Sequence, residues 1–125
     1  MIKGYEKLDV WKLTHALALE IFRTSEQFPR REQFGITMQL RRAAVSIPTN
    51  LAEGSARHYH QEFLHFCGIA RGSMAEVHYL LRFILDLGWF STETYEKYSV
   101  EYDHAGRMLN SLITYLRRQS SRRRA

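Results

Sequence analysis

Gln39-Leu-Arg-Arg-Ala-Ala-Val-Ser-Ile-Pro-Thr-Asn-Leu-Ala-Glu-Gly54 carries the conflict on which the fold turns. Ile36, Leu40, Ala43, Ile47 and Leu51 recur every three to four residues, the period of a helix with one buried face. Pro48 interrupts that pattern, and a proline inside a helix removes a backbone donor and clashes one turn back, at a cost of about 3 kcal/mol. The apolar phase is the same on both sides of it. The stretch therefore predicts one helix, kinked between Ala44 and Pro48, with Asn50 or Ser46 bonding to the carbonyls that the proline frees. A second row, Gln39, Arg42, Ser46, Asn50 and Glu53, is polar throughout and flanks the apolar row. Partly buried members of such a row need partners, and with Glu76 of the following helix they form an expected polar seam. Gly54 is expected to end the helix in a left-handed conformation.

The rest of the chain repeats the helical period. The first helix is predicted over about residues 8–27, with one stripe of Leu8, Trp11, His15, Ala18 and Phe22 and a second of Leu13, Leu17 and Ile21. No helix of a four-helix bundle is central, so the second stripe is expected to be an oligomer interface. Phe28-Pro29 reads as a loop, because a residue before proline avoids helical angles. The second helix spans about 33–53. The third, about 60–87, has the seam Phe63, Cys67, Ala70, Met74, Val77, Leu81 and Ile84 in unbroken steps of three and four. Beside it lie Phe66, Ile69, Leu80, Phe83 and Leu87, and Gly88 ends it. Ser91 caps a fourth helix over about 91–118, with the stripe Tyr95, Tyr98, Tyr102, Ala105, Leu109, Leu112 and Leu116. Residues 119–125 read as a frayed basic tail. Short connections between long helices imply one all-α domain over 1–125, an antiparallel up-down-up-down four-helix bundle.

Composition bounds the function. The chain has 125 residues and one cysteine, Cys67, so an intramolecular disulfide is impossible. Its first residues are charged with no apolar run after them, which argues against a signal peptide. The richest apolar run, Tyr79 to Phe90, contains Arg82 and Asp86, and falls short of the roughly 20 apolar residues that span a bilayer. The expectation is a cytoplasmic protein without a membrane or small-molecule partner. Lys and Arg number 18 against 13 Asp and Glu, for a net charge of +5. Most are arginine, which favours phosphate or carboxylate partners. Candidate nucleic-acid contacts are Arg30, Arg31, Arg41, Arg57, Arg117, Arg118, Arg122, Arg123 and Arg124. Arg41 and Arg42 lie 100° apart on their helix, with Arg42 expected inward and Arg41 outward.

Catalytic sets fare poorly. Glu62-x-x-His65 and Glu101-x-x-His104 have the spacing of di-metal bundle sites, and Glu20 and Glu53 could complete one. His65 and His104, however, fall on faces opposite their seams, so the ligands diverge; no metal or cofactor is expected. Cys67 lies on the core seam without a His or Asp set and reads as a small hydrophobe. Arg71 and His78, seven residues apart on one face, resemble the Arg-His motif of small helical HEPN ribonucleases, which cleave RNA as dimers without metal. Gly72 stands where those proteins carry a polar residue.

Gln39…Arg42-Ala43-Ala44…Ser46-Ile47-Pro48…Asn50…Ala52-Glu53-Gly54 resembles the signature of the bacterial four helix bundle protein family. That family was first recognised as products of intervening sequences in large-subunit ribosomal RNA genes. It also includes the accessory variability protein of diversity-generating retroelements. Leu8-Asp9-Val10-Trp11, Phe28-Pro29, Glu62-Phe63 and Ile69-Ala70-Arg71-Gly72-Ser73…Glu76 extend the resemblance from Tyr5 to about Leu116. Tyr59 departs from it, standing where the family usually has a small hydroxyl residue and so removing a capping box from the third helix. The resemblance implies a non-enzymatic accessory protein that forms a ring, a pentamer, and offers a basic surface to RNA or to a nucleic-acid enzyme such as a reverse transcriptase. The alternatives are the HEPN-like ribonuclease and a purely structural oligomer.

Overall fold

The apolar seams close into a bundle. A computed structural model describes the backbone of residues 4–124 and the side chains of residues 4–121. It comprises α1 (Asp9–Ser25), α2 (Ile36–Ser55), α3 (His60–Leu87) and α4 (Thr92–Arg124), with 3-10 turns at Gly4–Lys7 and Arg30–Glu32. No strand occurs among the described residues. Each helix packs on its sequence neighbours and α4 closes on α1, while neither diagonal pair approaches. Contacts run in opposite order along neighbouring helices. Gln39 meets Glu76, Ser46 meets Ser73 and Gly54 lies beside Phe63. Between α3 and α4, His78 meets Asp103 and Met74 lies beside Gly106. Thr24, near the end of α1, meets Tyr98, near the start of α4.

The predicted core faces of α2, α3 and α4 are the observed ones: Leu40, Ala43, Ile47, Leu51, Cys67, Ala70, Met74, Val77, Leu81, Ile84, Tyr98, Tyr102, Ala105, Leu109 and Leu116 are all buried. The ends also follow local chemistry. Ser91 Oγ accepts the Thr94 backbone N–H at 3.1 Å and caps α4, and Gly88 closes α3 with φ of 77°. α3 starts after Tyr59 with no side-chain cap, as the replaced hydroxyl predicts. Phe28 is buried in the α1–α2 connection against Trp89 and Phe90, with ring centroids at 5.3 and 6.0 Å.

Helix α1 corrects the sequence reading. Leu17 and Ile21, assigned to an interface, are core residues, and Leu13 is partly buried against the core. The face that points outward carries Leu19 and Phe22. The buried face is centred on Val10, Thr14, Leu17 and Ile21. Thr14 can sit there because its hydroxyl donates to the Val10 carbonyl at 2.8 Å, which satisfies the polar atom locally.

Gly54 is a second correction. It is helical, and α2 ends one residue later. A Cβ at position 54 would lie 2.7 Å from Phe63 Cδ1 and 2.9 Å from Phe66 Cβ. Glycine is there for close approach of α2 to α3, not for a left-handed turn. A third correction concerns α4, whose helical backbone continues to Arg124 through the segment read as a frayed tail.

Helix α2 is continuous across Pro48, which is buried. Asn50 Nδ2 donates to the Ser46 carbonyl at 2.8 Å, and Thr49 Oγ1 to the Val45 carbonyl at 2.8 Å. The carbonyl that lacks its helical donor is that of Ala44, four residues before the proline. These two bonds therefore serve its neighbours.

Two predictions follow from the packing. Gly54→Ala should lower the melting temperature, because overpacking of about 1–3 kcal/mol exceeds a helix-propensity gain of about 1 kcal/mol. Gly72→Ala, in mid-α3 with nothing within 4 Å of the added Cβ, should raise it; thermal denaturation of the pair should give shifts of opposite sign. The second prediction concerns alkaline pH. Burial pushes the Cys67 thiol from 9.0 up to about 11. Burial likewise raises the Tyr98 and Tyr102 phenols above 10.0, with Glu20 adding to both. The folded state thus holds protons that the unfolded chain releases, so stability is complete below pH 9.0 and falls as pH climbs through these ranges. Denaturant midpoints measured against pH should decline from there, and Cys67→Ala should postpone the onset.

Candidate nucleic-acid interface

Helices α2 and α3 meet along polar as well as apolar groups. Ser46 Oγ and Ser73 Oγ share a hydrogen bond at 2.8 Å, and Asn50 Nδ2 reaches Ser46 Oγ at 3.0 Å. Gln39 Nε2 donates to Glu76 Oε2 at 3.3 Å. Of the five residues in these bonds, Gln39, Ser46, Asn50 and Glu76 were legible in the sequence as one seam; Arg42, expected with them, is exposed and joins none of the bonds. Glu53 is exposed at the far end of the row. Ser73 was missed as the partner of Ser46, since nothing in the sequence gives the α2–α3 register.

The two neighbouring arginines exchange their expected roles. Arg41 is the pinned one: Nε donates to Ser25 Oγ at 2.7 Å, a terminal nitrogen donates to the Phe22 carbonyl at 3.2 Å, and the guanidinium lies 5.0 Å from the centre of the Phe22 ring. Arg42 is exposed. The cause is α1, which ends beside Arg41: its last turn leaves carbonyls open to side-chain donors, and that of Phe22 accepts both Ser25 Oγ, at 3.2 Å, and the Arg41 guanidinium.

Helix direction distributes the remaining arginines. Arg57, Arg117 and Arg118 gather at the end of the bundle where α3 begins and α4 finishes. Arg30 and Arg31 lie at the opposite end, roughly 40 Å away along α3 at 1.5 Å per residue. Arg57 lies 4.9 Å from the Phe66 ring centre, an attraction that holds the group and leaves its charge intact. Arg30, Arg31, Arg42, Arg117 and Arg118 are exposed and hold no ion pair or hydrogen bond among the described residues. The side chains of Arg122, Arg123 and Arg124 lie outside the described residues.

Along the polar seam is an open groove of about 550 Å³, lined by Phe34, Gln39, Arg42, Ser46, Ser73 and Glu76 among others. Phe34 is 80 % exposed, more than any other large apolar side chain among the described residues. It belongs to no helical stripe, so periodicity could not have drawn attention to it. A second groove, about 490 Å³, runs between α1 and α2 past Trp11, Leu19, Phe22 and Val45. Trp11 in it stacks on His15 at 4.6 Å. The outer face of α3 adds exposed Ile69, Tyr79, Phe83 and Leu87.

The Arg71–His78 pair shares a helical face, with Arg71 exposed and His78 half-buried. His78 Nε2 lies 3.5 Å from Asp103 Oδ1 on α4. His65 and His104 are exposed, as their faces predict. Among the described residues no three His, Cys, Asp or Glu side chains gather as a metal-holding group. No described helix is long and apolar enough to cross a membrane.

A solved structure shares this architecture: a protein of unknown function from the S23 ribosomal protein family of Bacteroides thetaiotaomicron, with a TM-score of 0.77 and 21% identity, covering 84% of this chain and 95% of that one. No curated protein matches the chain. The family model for the 23S rRNA-intervening sequence protein matches residues 6–111. That match spans all of α1, α2 and α3 and most of α4, and takes in the proline-centred stretch and the polar seam. The chain therefore belongs to the 23S rRNA-intervening sequence protein family.

Proposed function

We propose that this protein is a non-enzymatic accessory subunit that assembles with copies of itself into a ring, a pentamer, and presents its arginine-bearing ends to RNA or to a nucleic-acid enzyme such as a reverse transcriptase. The observation that carries the reading is the placement of exposed, unpaired arginines at both ends of a rigid bundle. Such groups bind phosphates without sequence preference. Membership in a family named for an intervening sequence of 23S rRNA fits it. Self-association draws support from the outward apolar residues of the α1–α2 groove and of α3, since exposed apolar surface of this extent usually marks an interface. These replace the Leu13, Leu17 and Ile21 stripe as the candidate contact. A ring would multiply weak phosphate contacts into one avid surface.

A second reading has one observation in its favour. A carboxylate beside His78, as Asp103 is, can hold an imidazole in one orientation for proton transfer. Arg71 on the same face would then complete the HEPN-like pair.

Light scattering should give a mass that is a multiple of the 14.8 kDa chain; a monomer at micromolar concentration would refute the ring. RNA affinity should fall as salt rises, with a logarithmic slope of about −0.7 per phosphate contact on a single strand. Removing residues 120–125 should weaken binding and flatten that slope without unfolding the protein, because Leu116 is the last buried residue among those described. Equal binding by the truncated chain at every salt concentration would exclude the tail. Cleavage of RNA in EDTA by the full chain, lost in Arg71→Ala/His78→Ala, would replace the accessory reading with the nuclease one.

A further inference from the structure

The groove beside Phe34 has the parts of a seat for a nucleobase. We propose that it takes one unpaired base of a single-stranded RNA, and that guanine is the base it suits. This rests on the RNA-binding reading above and narrows it to the strandedness of the ligand and the site that senses it.

Three observations converge there. The first is the Phe34 ring itself, 80 % exposed at the mouth of a groove of about 550 Å³. A solvated phenyl ring gains from being covered, and a base stacked on an aromatic ring contributes about 1–3 kcal/mol. A base inside a duplex has both faces stacked already, so only an unpaired one can use the ring.

The second is charge. Arg30 and Arg31 stand four and three residues before Phe34, and Arg42 lines the same groove. All three are exposed without an ion-pair partner among the described residues. Against the carboxylates of Glu32 and Glu76 they leave a positive balance, which suits the phosphates on either side of a stacked base.

The third is the polar wall. Ser46 and Ser73 satisfy each other at 2.8 Å, and Gln39 donates to Glu76 Oε2 at 3.3 Å. Glu76 is exposed and keeps acceptor capacity, because each carboxylate oxygen can accept more than one hydrogen bond. Guanine presents two adjacent donors on its Watson–Crick edge, the ring N1–H and the exocyclic amino group. A carboxylate accepts both, whereas uracil offers a single N–H donor. The predicted ligand edge is therefore a paired donor, with Glu76 as its reader and Phe34 as the platform.

The test is fluorescence anisotropy with a labelled oligouridine, the same strand with one central guanosine, and a duplex of equal length, using the full chain in its native oligomeric state. Phe34→Ala should weaken single-strand binding by roughly five- to hundredfold and leave duplex binding unchanged. Phe34→Tyr should restore it. Glu76→Gln, which exchanges an acceptor for a donor, should abolish the preference for the guanosine strand. An unchanged melting temperature for each variant keeps folding out of the comparison. If wild-type protein binds none of the three RNAs, the RNA-binding reading fails and this proposal with it. If it binds them and Phe34→Ala binds the single strand equally well, only the base seat is overturned. If Phe34→Ala instead lowers the molar mass in light scattering, the ring is a contact between copies and the base seat is likewise overturned.

Discussion

Helices α2 and α3 can lie as close as they do only because the side chains between them are small. Gly54 leaves no room for a Cβ against Phe63 and Phe66. About two turns away, two serine hydroxyls meet across the gap at 2.8 Å, and fully buried Ala44 and Ala70 add no bulk to either helix. Small residues let two backbones approach, and the approach in turn fixes the register, since the interdigitated core tolerates few voids or overlaps. Once α2 is set on α3, the apolar faces of both leave one direction open for α1 and another for α4. The ring of four follows. Pro48 is compatible with this because it is buried on the same helix and its neighbours Thr49 and Asn50 bond back to carbonyls one turn earlier.

Legibility in the sequence followed a physical divide. Stripes in unbroken steps of three and four were readable, on α4 and in the main seam of α3, although Ile69, Phe83 and Leu87 of the second α3 row are exposed. So were the ends marked by side-chain chemistry, Ser91 as a cap and Gly88 as a left-handed stop. Helix α1 was not readable in the same way. Its two apolar stripes are adjacent, and the deciding residue is Thr14, whose hydroxyl is satisfied by its own helix and so tolerates the core. Gly54 has two physical uses in a helix near its end, and only the partner helix reveals which one applies. Arg41 and Arg42 both flank the apolar row; the carbonyls at the end of α1 choose between them. The extension of α4 escaped notice because the apolar period stops at Leu116, whereas arginine and glutamine are good helix formers with or without a partner.

The candidate interface was legible as a list of arginines and not as a place. Sequence order puts Arg57 much nearer to Arg31 than to Arg117. Antiparallel packing removes it from Arg31 and seats it with Arg117 and Arg118 at the other end of the bundle. Two of the listed groups, Arg41 and Arg57, also lie against aromatic rings of their own chain. Such contacts do not neutralise a guanidinium, but they fix where its charge is presented. These groups therefore lie at two ends of the bundle, while Arg71 and Arg107 are exposed along its middle.

The two ends differ in what accompanies the charge. Where α4 finishes, arginines continue along a helix past the last buried residue, in a position that also suits the negative end of the helix dipole. That end offers charge on a regular helical spacing, with exposed Tyr59 and Tyr115 nearby, an arrangement that suits phosphates on any strand. The opposite end combines charge with an uncovered aromatic ring and a wall of hydrogen-bonding groups between α2 and α3. Affinity without selectivity needs only the first kind of end. Discrimination between an unpaired and a paired strand is better served by the second, where an exposed ring stands beside a wall of hydrogen-bonding groups that can read a base edge. The same α2–α3 approach that sets the fold, through Ser46 and Ser73, also builds the wall of that groove. Loosening it by filling Gly54 would thus disturb both the register of the bundle and the groove that the register shapes.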